Sequence, residues 1–113
     1  MIIGIHHVAI SVDNLDAAVS FYQKAFGFEV VQNSAFKNNK LVDAAIGLTN
    51  AEARMTMLKA PNAYVELWEY SHPLPEDRRS RPCDLGYPHF ALQVTAIDDE
   101  YDRLKAIGMT FVG

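Results

Sequence analysis

The sequence has one cysteine, a modest supply of basic residues and no long apolar run, and each shortage closes off a class of function. Cys83, alone among 113 residues, excludes an internal disulfide and fits a reducing compartment, so a cytoplasmic location is expected. Ten Lys and Arg against 14 Asp and Glu give a formal charge of -4, and Arg78, Arg79 and Arg81 form only a short basic cluster. A nucleic-acid footprint is therefore not expected. No apolar stretch approaches a membrane span, and the opening residues, interrupted by Gly4, His6 and His7, do not read as an export signal. A Gly-x-Ser-x-Gly elbow, a phosphate-cradling glycine loop and a Cys-x-x-Cys pair are also missing, which disfavours a nucleophilic hydrolase and a nucleotide enzyme.

What the sequence does have is a repeat. His7-Val8-Ala9-Ile10-Ser11-Val12 is echoed 82 residues later by His89-Phe90-Ala91-Leu92-Gln93-Val94. With one gap in the helical stretch that follows, the echo continues from Ala25-Phe26-Gly27-Phe28 to Ala106-Ile107-Gly108-Met109. Two copies of one supersecondary unit imply a pseudo-twofold domain, an arrangement that can bring distant histidines to one central site. Half of the residues are hydrophobic, enough for a real core in one domain of this size.

Alternation predicts a strand over 5–12, with Ile5, His7, Ala9 and Ser11 on the more open face and His6, Val8, Ile10 and Val12 on the other. A helix should follow, capped by Asp13 or Asn14, striped by Leu15, Ala18, Val19, Tyr22 and Phe26, and stopped at Gly27. It should pack on the Val8, Ile10, Val12 face and leave His7 facing a concavity. Residues 28–36 read as a second strand, followed by a polar turn at 37–40. Residues 41–48 and 54–60 are expected to supply a third strand, with 51–57 as a possible brief helix. Residues 63–70 read as a strand with Tyr64, Glu66 and Trp68 on one face. Residues 71–86, rich in proline and charge, read as the connection between copies. Residues 87–94 should repeat the first strand, Thr95 with Asp98 should cap a second helix striped by Ile97, Tyr101 and Leu104 and stopped at Gly108, and 109–112 should start another strand.

His7 and His89, in phase on equivalent faces, are candidate metal ligands, since imidazole binds divalent transition metals. Glu66 adds a carboxylate in mid-strand, where an ionised group must be paired, hydrogen-bonded or metal-bound. Its neighbours Tyr64 and Trp68 suggest a cavity wall, and Gln93 shares the His89 face. His6 reads as structural, His72 as exposed, and Glu69 as solvated or salt-bridged. Asp43 and Glu52 are possible bases without a spacing argument, so the catalytic residue is unassigned.

His6-His7-Val8-Ala9-Ile10-Ser11-Val12, then Asn14-Leu15-Asp16 and the stretch from Phe21 to Phe28, then Tyr64-Val65-Glu66-Leu67-Trp68-Glu69-Tyr70 and Pro88-His89-Phe90-Ala91-Leu92-Gln93-Val94, resemble the vicinal oxygen chelate superfamily. Its members include glyoxalase I, methylmalonyl-CoA epimerase, extradiol dioxygenases and bleomycin or fosfomycin resistance proteins. The resemblance implies an α+β fold of paired βαβββ modules forming a cupped mixed sheet around a divalent metal. On that basis module one spans 1–70, the connection 71–86, and an incomplete module two 87–113. Carried over residue by residue, the metal ligands fall on His7, Glu66 and His89, and the ion could be Zn, Ni, Co, Mn or Fe. A fourth ligand is expected near position 148, about 35 residues past Gly113, by the repeat offset; the favoured expectation is a longer protein, and the alternatives are a site completed by water or by a partner chain. The resemblance further implies a homodimer and a small oxygenated substrate, handled by a lyase, isomerase or epimerase through a metal-stabilised enediolate or enolate. An extradiol-type dioxygenase using the same two histidines and carboxylate is the alternative within enzymes. A non-catalytic, ligand-sequestering resistance protein is the alternative of another class.

Overall fold

In the computed structural model, which describes residues 1–112, the chain divides into two compact units, Met1–Glu76 and a second that begins at Asp77. The first unit contains, in order, β1 (His7–Ser11), α1 (Leu15–Phe26), β2 (Glu29–Phe36), α2 (Lys40–Ile46), β3 (Glu52–Lys59) and β4 (Tyr64–His72). Its four strands form one open mixed sheet in the order β1-β4-β3-β2. β1 runs parallel to β4, with His7 opposite Tyr64 and Ala9 opposite Glu66. The other two pairings are antiparallel, and β2 carries a bulge between Val30 and Gln32. This α+β arrangement is the expected βαβββ module, with the short α2 inserted before β3.

α1 forms where its sequence signals place it. The Asn14 side chain accepts a hydrogen bond from the Ala17 N–H, and Gly27 closes the helix at φ 68°, in the left-handed region that glycine enters without steric cost. The expected stripe, Leu15, Ala18, Val19, Tyr22 and Phe26, packs over Phe28, Leu58, Val65 and Leu67 together with Val8, Ile10 and Val12. Leu58 and Leu67 are fully buried. Glu69 pins the start of α1: its Oε2 accepts from the Leu15 N–H at 2.7 Å, while Oε1 pairs with Arg54 at 3.0 Å. The carboxylate so placed complements the positive end of the helix dipole. The Leu15 N–H, and after it Arg54, hold the Glu69 carboxyl below the usual range.

Residues 41–48 are a correction to the expected third strand. Lys40–Ile46 is a helix, because Asn39 caps both the Leu41 and Val42 N–H groups and Gly47 ends the turn at φ 71°. Local capping outweighs the strand-like run of apolar residues. The strand is Glu52–Lys59 alone, and 51–57 has no helical turn. Asp43, a candidate base by sequence, accepts from the Asn50 and Ala51 N–H groups and shapes the turn into β3. Glu52, the other candidate, pairs with Lys37 at 3.3 Å.

The second unit departs further from expectation. Residues 87–94 and 109–112 form no strand, because a strand exists only through a ladder and no partner strand occurs among the described residues from 77 onward. Its helix, α3 (Ile97–Ala106), is present, but its cap residue is Ala96 at φ 50°, with no side-chain cap. Thr95 and Asp98 therefore do not form a capping box. The helix ends at Ile107 and Gly108, the latter at φ 98°. Tyr101 packs against Phe111 at 4.5 Å between ring centroids, yet Ile97 is exposed and no described residue of this unit is fully buried.

Candidate metal centre

The parallel pairing of β1 with β4 brings the first two predicted ligands together. Strand alternation turns Val8 and Ile10 towards α1 and leaves His7, Ala9 and Ser11 on the opposite face. Tyr64, Glu66, Trp68 and Tyr70 of β4 share that face, since Val65 and Leu67 fill the core beneath α1. His7 Nε2 lies 3.5 Å from Glu66 Oε2, with the carboxylate side chain only 13% exposed and the imidazole 40%. The Trp68 Nε1–H donates to the same oxygen at 3.0 Å, which fixes the carboxylate and compensates its partial burial.

A run of rings extends from this point. Phe36 stacks on Trp68 at 5.4 Å, and Trp68 stacks on Tyr70 at 5.6 Å with the planes 13° apart. Met55, paired with Trp68 across β3, is buried on this side of the sheet. Burial raises the Tyr70 hydroxyl above the ordinary phenol range, and the Glu66 charge raises it further. Tyr70 thus senses the carboxylate electrostatically. Tyr70 and Phe36 were missed by sequence reasoning; the step of two from Trp68 was a visible signal for Tyr70, whereas the position of Phe36 depends on sheet register.

His6 is placed differently from expectation. It precedes the β1 ladder and is not bound by strict alternation, so its ring lies against His7 and Tyr64 and not with the Val8, Ile10, Val12 set. His6 Nδ1 is 2.9 Å from His7 Nδ1, and the His6 ring stacks on Tyr64 at 4.9 Å. Its carbonyl also accepts from the Tyr64 N–H at 2.9 Å. His72 is exposed at the end of β4, where Nδ1 meets the Asn50 carbonyl at 2.8 Å. Glu69 is salt-bridged, as its position suggested.

His89 and Gln93 lie in the second unit and are exposed. Among the described residues no three His, Cys, Asp or Glu side chains converge closely enough to hold a metal ion. The structure therefore brings together two of the three predicted ligands. Those two fit a divalent transition metal. Ligand atoms each about 2.1 Å from an ion stand roughly 3.0–3.4 Å apart at octahedral or tetrahedral angles, and an imidazole nitrogen and a carboxylate oxygen 3.5 Å apart nearly meet that spacing.

Comparison with known proteins agrees with the fold. The chain is 36% identical over 112 residues to 2-epi-5-epi-valiolone epimerase from Actinomyces sp, covering 92% of this chain but 58% of the epimerase, so it spans less than two thirds of that relative. It is 26% identical to the uncharacterized protein YwkD of Bacillus subtilis (strain 168), over 94% of this chain and 73% of that protein. A glyoxalase family protein from Bacillus cereus superposes with a TM-score of 0.80 at 23% identity, over 96% of this chain and 74% of that one. The fosfomycin resistance protein FosX from Listeria monocytogenes, solved with Mn(II) and 1S,2S-dihydroxypropylphosphonic acid, superposes with a TM-score of 0.61 at 20% identity, over 97% of this chain and 73% of FosX. No helix among the described residues is long and apolar enough to cross a membrane. The sequence model of the Glyoxalase/Bleomycin resistance protein/Dioxygenase superfamily matches residues 4–113, and the chain belongs to that superfamily.

Proposed function

We propose that this chain is a metal-dependent isomerase of the epimerase type, acting on a small oxygenated substrate. The observation that carries the reading is the convergence of His7 Nε2 and Glu66 Oε2, at near-ligand spacing, on the face of the sheet that α1 leaves open. Likeness to an epimerase over most of this chain supports isomerisation among the chemistries the superfamily hosts. His7 and Glu66 would hold the cation, with His89 as a third ligand by the superfamily pattern. Bound there, a divalent cation supplies Lewis-acid stabilisation of negative charge on a substrate oxygen. The chain's own part is positional. The Trp68 N–H holds Glu66 in place, and the Phe36, Trp68, Tyr70 stack gives one side of the substrate an apolar wall that excludes water. Homodimer formation is part of the same reading and rests on the superfamily likeness.

The test is metal content and affinity of the purified protein. A stoichiometric divalent ion is expected, with Mn(II) affinity falling by at least about 100-fold in His7→Ala and Glu66→Gln. A comparable loss in His89→Ala would place the second unit in the site, while unchanged affinity would remove His89 from the ligand set. Protein that neither contains nor binds a divalent ion, or an epimerase activity that survives complete chelation, would sink the proposal.

A further inference from the structure

The two adjacent imidazoles face each other through Nδ1 at 2.9 Å, and two neutral rings in that contact hold one hydrogen between them. A neutral pair has two arrangements. In one, His6 donates from Nδ1, His7 accepts, and the His7 hydrogen sits on Nε2, aimed at Glu66. In the other, His7 donates from Nδ1 to His6, and His7 Nε2 keeps a free lone pair on the side where Glu66 Oε2 lies 3.5 Å away. Only the second leaves His7 able to coordinate.

His6 is held in place by Tyr64. Its ring stacks on Tyr64 with the planes 28° apart, and its carbonyl is tied to the Tyr64 N–H at the first residue of β4. The two ring planes stand 88° apart, with the Nδ1 atoms at hydrogen-bond distance. Resting on the metal reading above, we infer that His6 is a positioning residue: by accepting the His7 Nδ1 hydrogen it fixes the His7 tautomer and ring orientation that present Nε2 to a divalent cation. A ligating histidine commonly needs such an outer partner, and losing one typically costs 10–100-fold in metal affinity.

Two variants separate this role from packing. His6→Phe keeps a ring to stack on Tyr64 and removes the acceptor, whereas His6→Asn loses the ring and keeps an oxygen near the position of Nδ1. Zn(II) affinity of the whole chain, measured by competition with a chelator, should fall about 10–100-fold in His6→Phe and recover most of that loss in His6→Asn. In the Zn(II)-loaded wild type, nitrogen-15 spectra of the rings should show the hydrogen on Nδ1 of His7 and on Nε2 of His6. Equal affinity for wild type and His6→Phe, or a loaded spectrum with the hydrogen on His6 Nδ1, overturns the inference while leaving the metal site standing. Wild type that binds no Zn(II) overturns both.

Discussion

Residues 7–12 and 89–94 carry nearly the same pattern and have different structures. The first forms a strand because β4 offers it a parallel ladder, His7 opposite Tyr64 and Ser11 opposite Trp68, and because α1 covers Val8 and Ile10. The second has the same alternation but forms no ladder, and Leu92 and Val94, the counterparts of Ile10 and Val12, are 40% and 41% exposed. Alternation is thus a statement about faces, and a strand also needs a neighbour to take its backbone hydrogen bonds. Site formation follows the same division. His7 finds a carboxylate because its strand is registered against the strand that carries Glu66.

The sharpest way to break this comparison is to cut one apolar side chain in each unit. Leu67→Ala empties a fully buried position between α1 and the sheet and should destabilise the first unit by about 2–5 kcal/mol. Leu92→Ala, at an exposed position, should change stability by no more than about 0.5 kcal/mol. Urea unfolding followed by far-ultraviolet circular dichroism, which sees α3 as well as the first unit, reads both, and the fluorescence of Trp68, the single tryptophan, isolates the first. A large cost for Leu92→Ala would show that residues 87–94 are packed in solution as firmly as β1.

What the sequence made legible divides along the same line. The α1 cap, its apolar stripe, the Gly27 stop and the faces of β1 and β4 all follow from local pattern, and they sufficed to select His7 and Glu66. α2 was hidden because its apolar run suits a strand equally well, and the decision rests on the two N–H groups that Asn39 caps. The contacts of His6 were hidden because it stands one residue outside a ladder, where strand alternation no longer governs the side chain. The Phe36 to Trp68 stack was hidden because it crosses strands, and its register is set by tertiary pairing. The repeat located His89, but strand pairing decides what surrounds a residue, and the described residues of the second unit contain none.

A smaller contrast lies in the helix starts. By the repeat offset Ala96 stands where Asn14 stands, and the structure gives α1 a side-chain cap and α3 none. Asn14→Ala should cost about 1 kcal/mol, whereas Thr95→Ala should fall within about 0.5 kcal/mol of wild type. The pair is measurable by the same unfolding experiment. Equal losses would mean that Thr95 caps α3 in solution, restoring a similarity between the copies that the structure lacks.

The smallest expected effect concerns acid, and it also belongs to the first unit. Glu69 is held below the usual carboxyl range by the Leu15 N–H first and by Arg54 second, both native-state contacts. Its pKa is therefore lower folded than unfolded. A depressed carboxylate contributes stability that is fully present above the unfolded value of about 4.3, and that contribution fades as pH falls through the folded value. Glu69 is 28% exposed, so solvent screens the Arg54 pair and keeps the contribution modest. Replacing it by Gln should lower stability at neutral pH and flatten the decline below about pH 4.3, so that the two stability curves converge in acid. Leu15 is the first residue of α1, and its N–H would lose a charged acceptor, so the same variant should raise amide exchange there. Curves that stay parallel into acid would show that Glu69 titrates normally and that α1 is anchored by its Asn14 cap and apolar face alone.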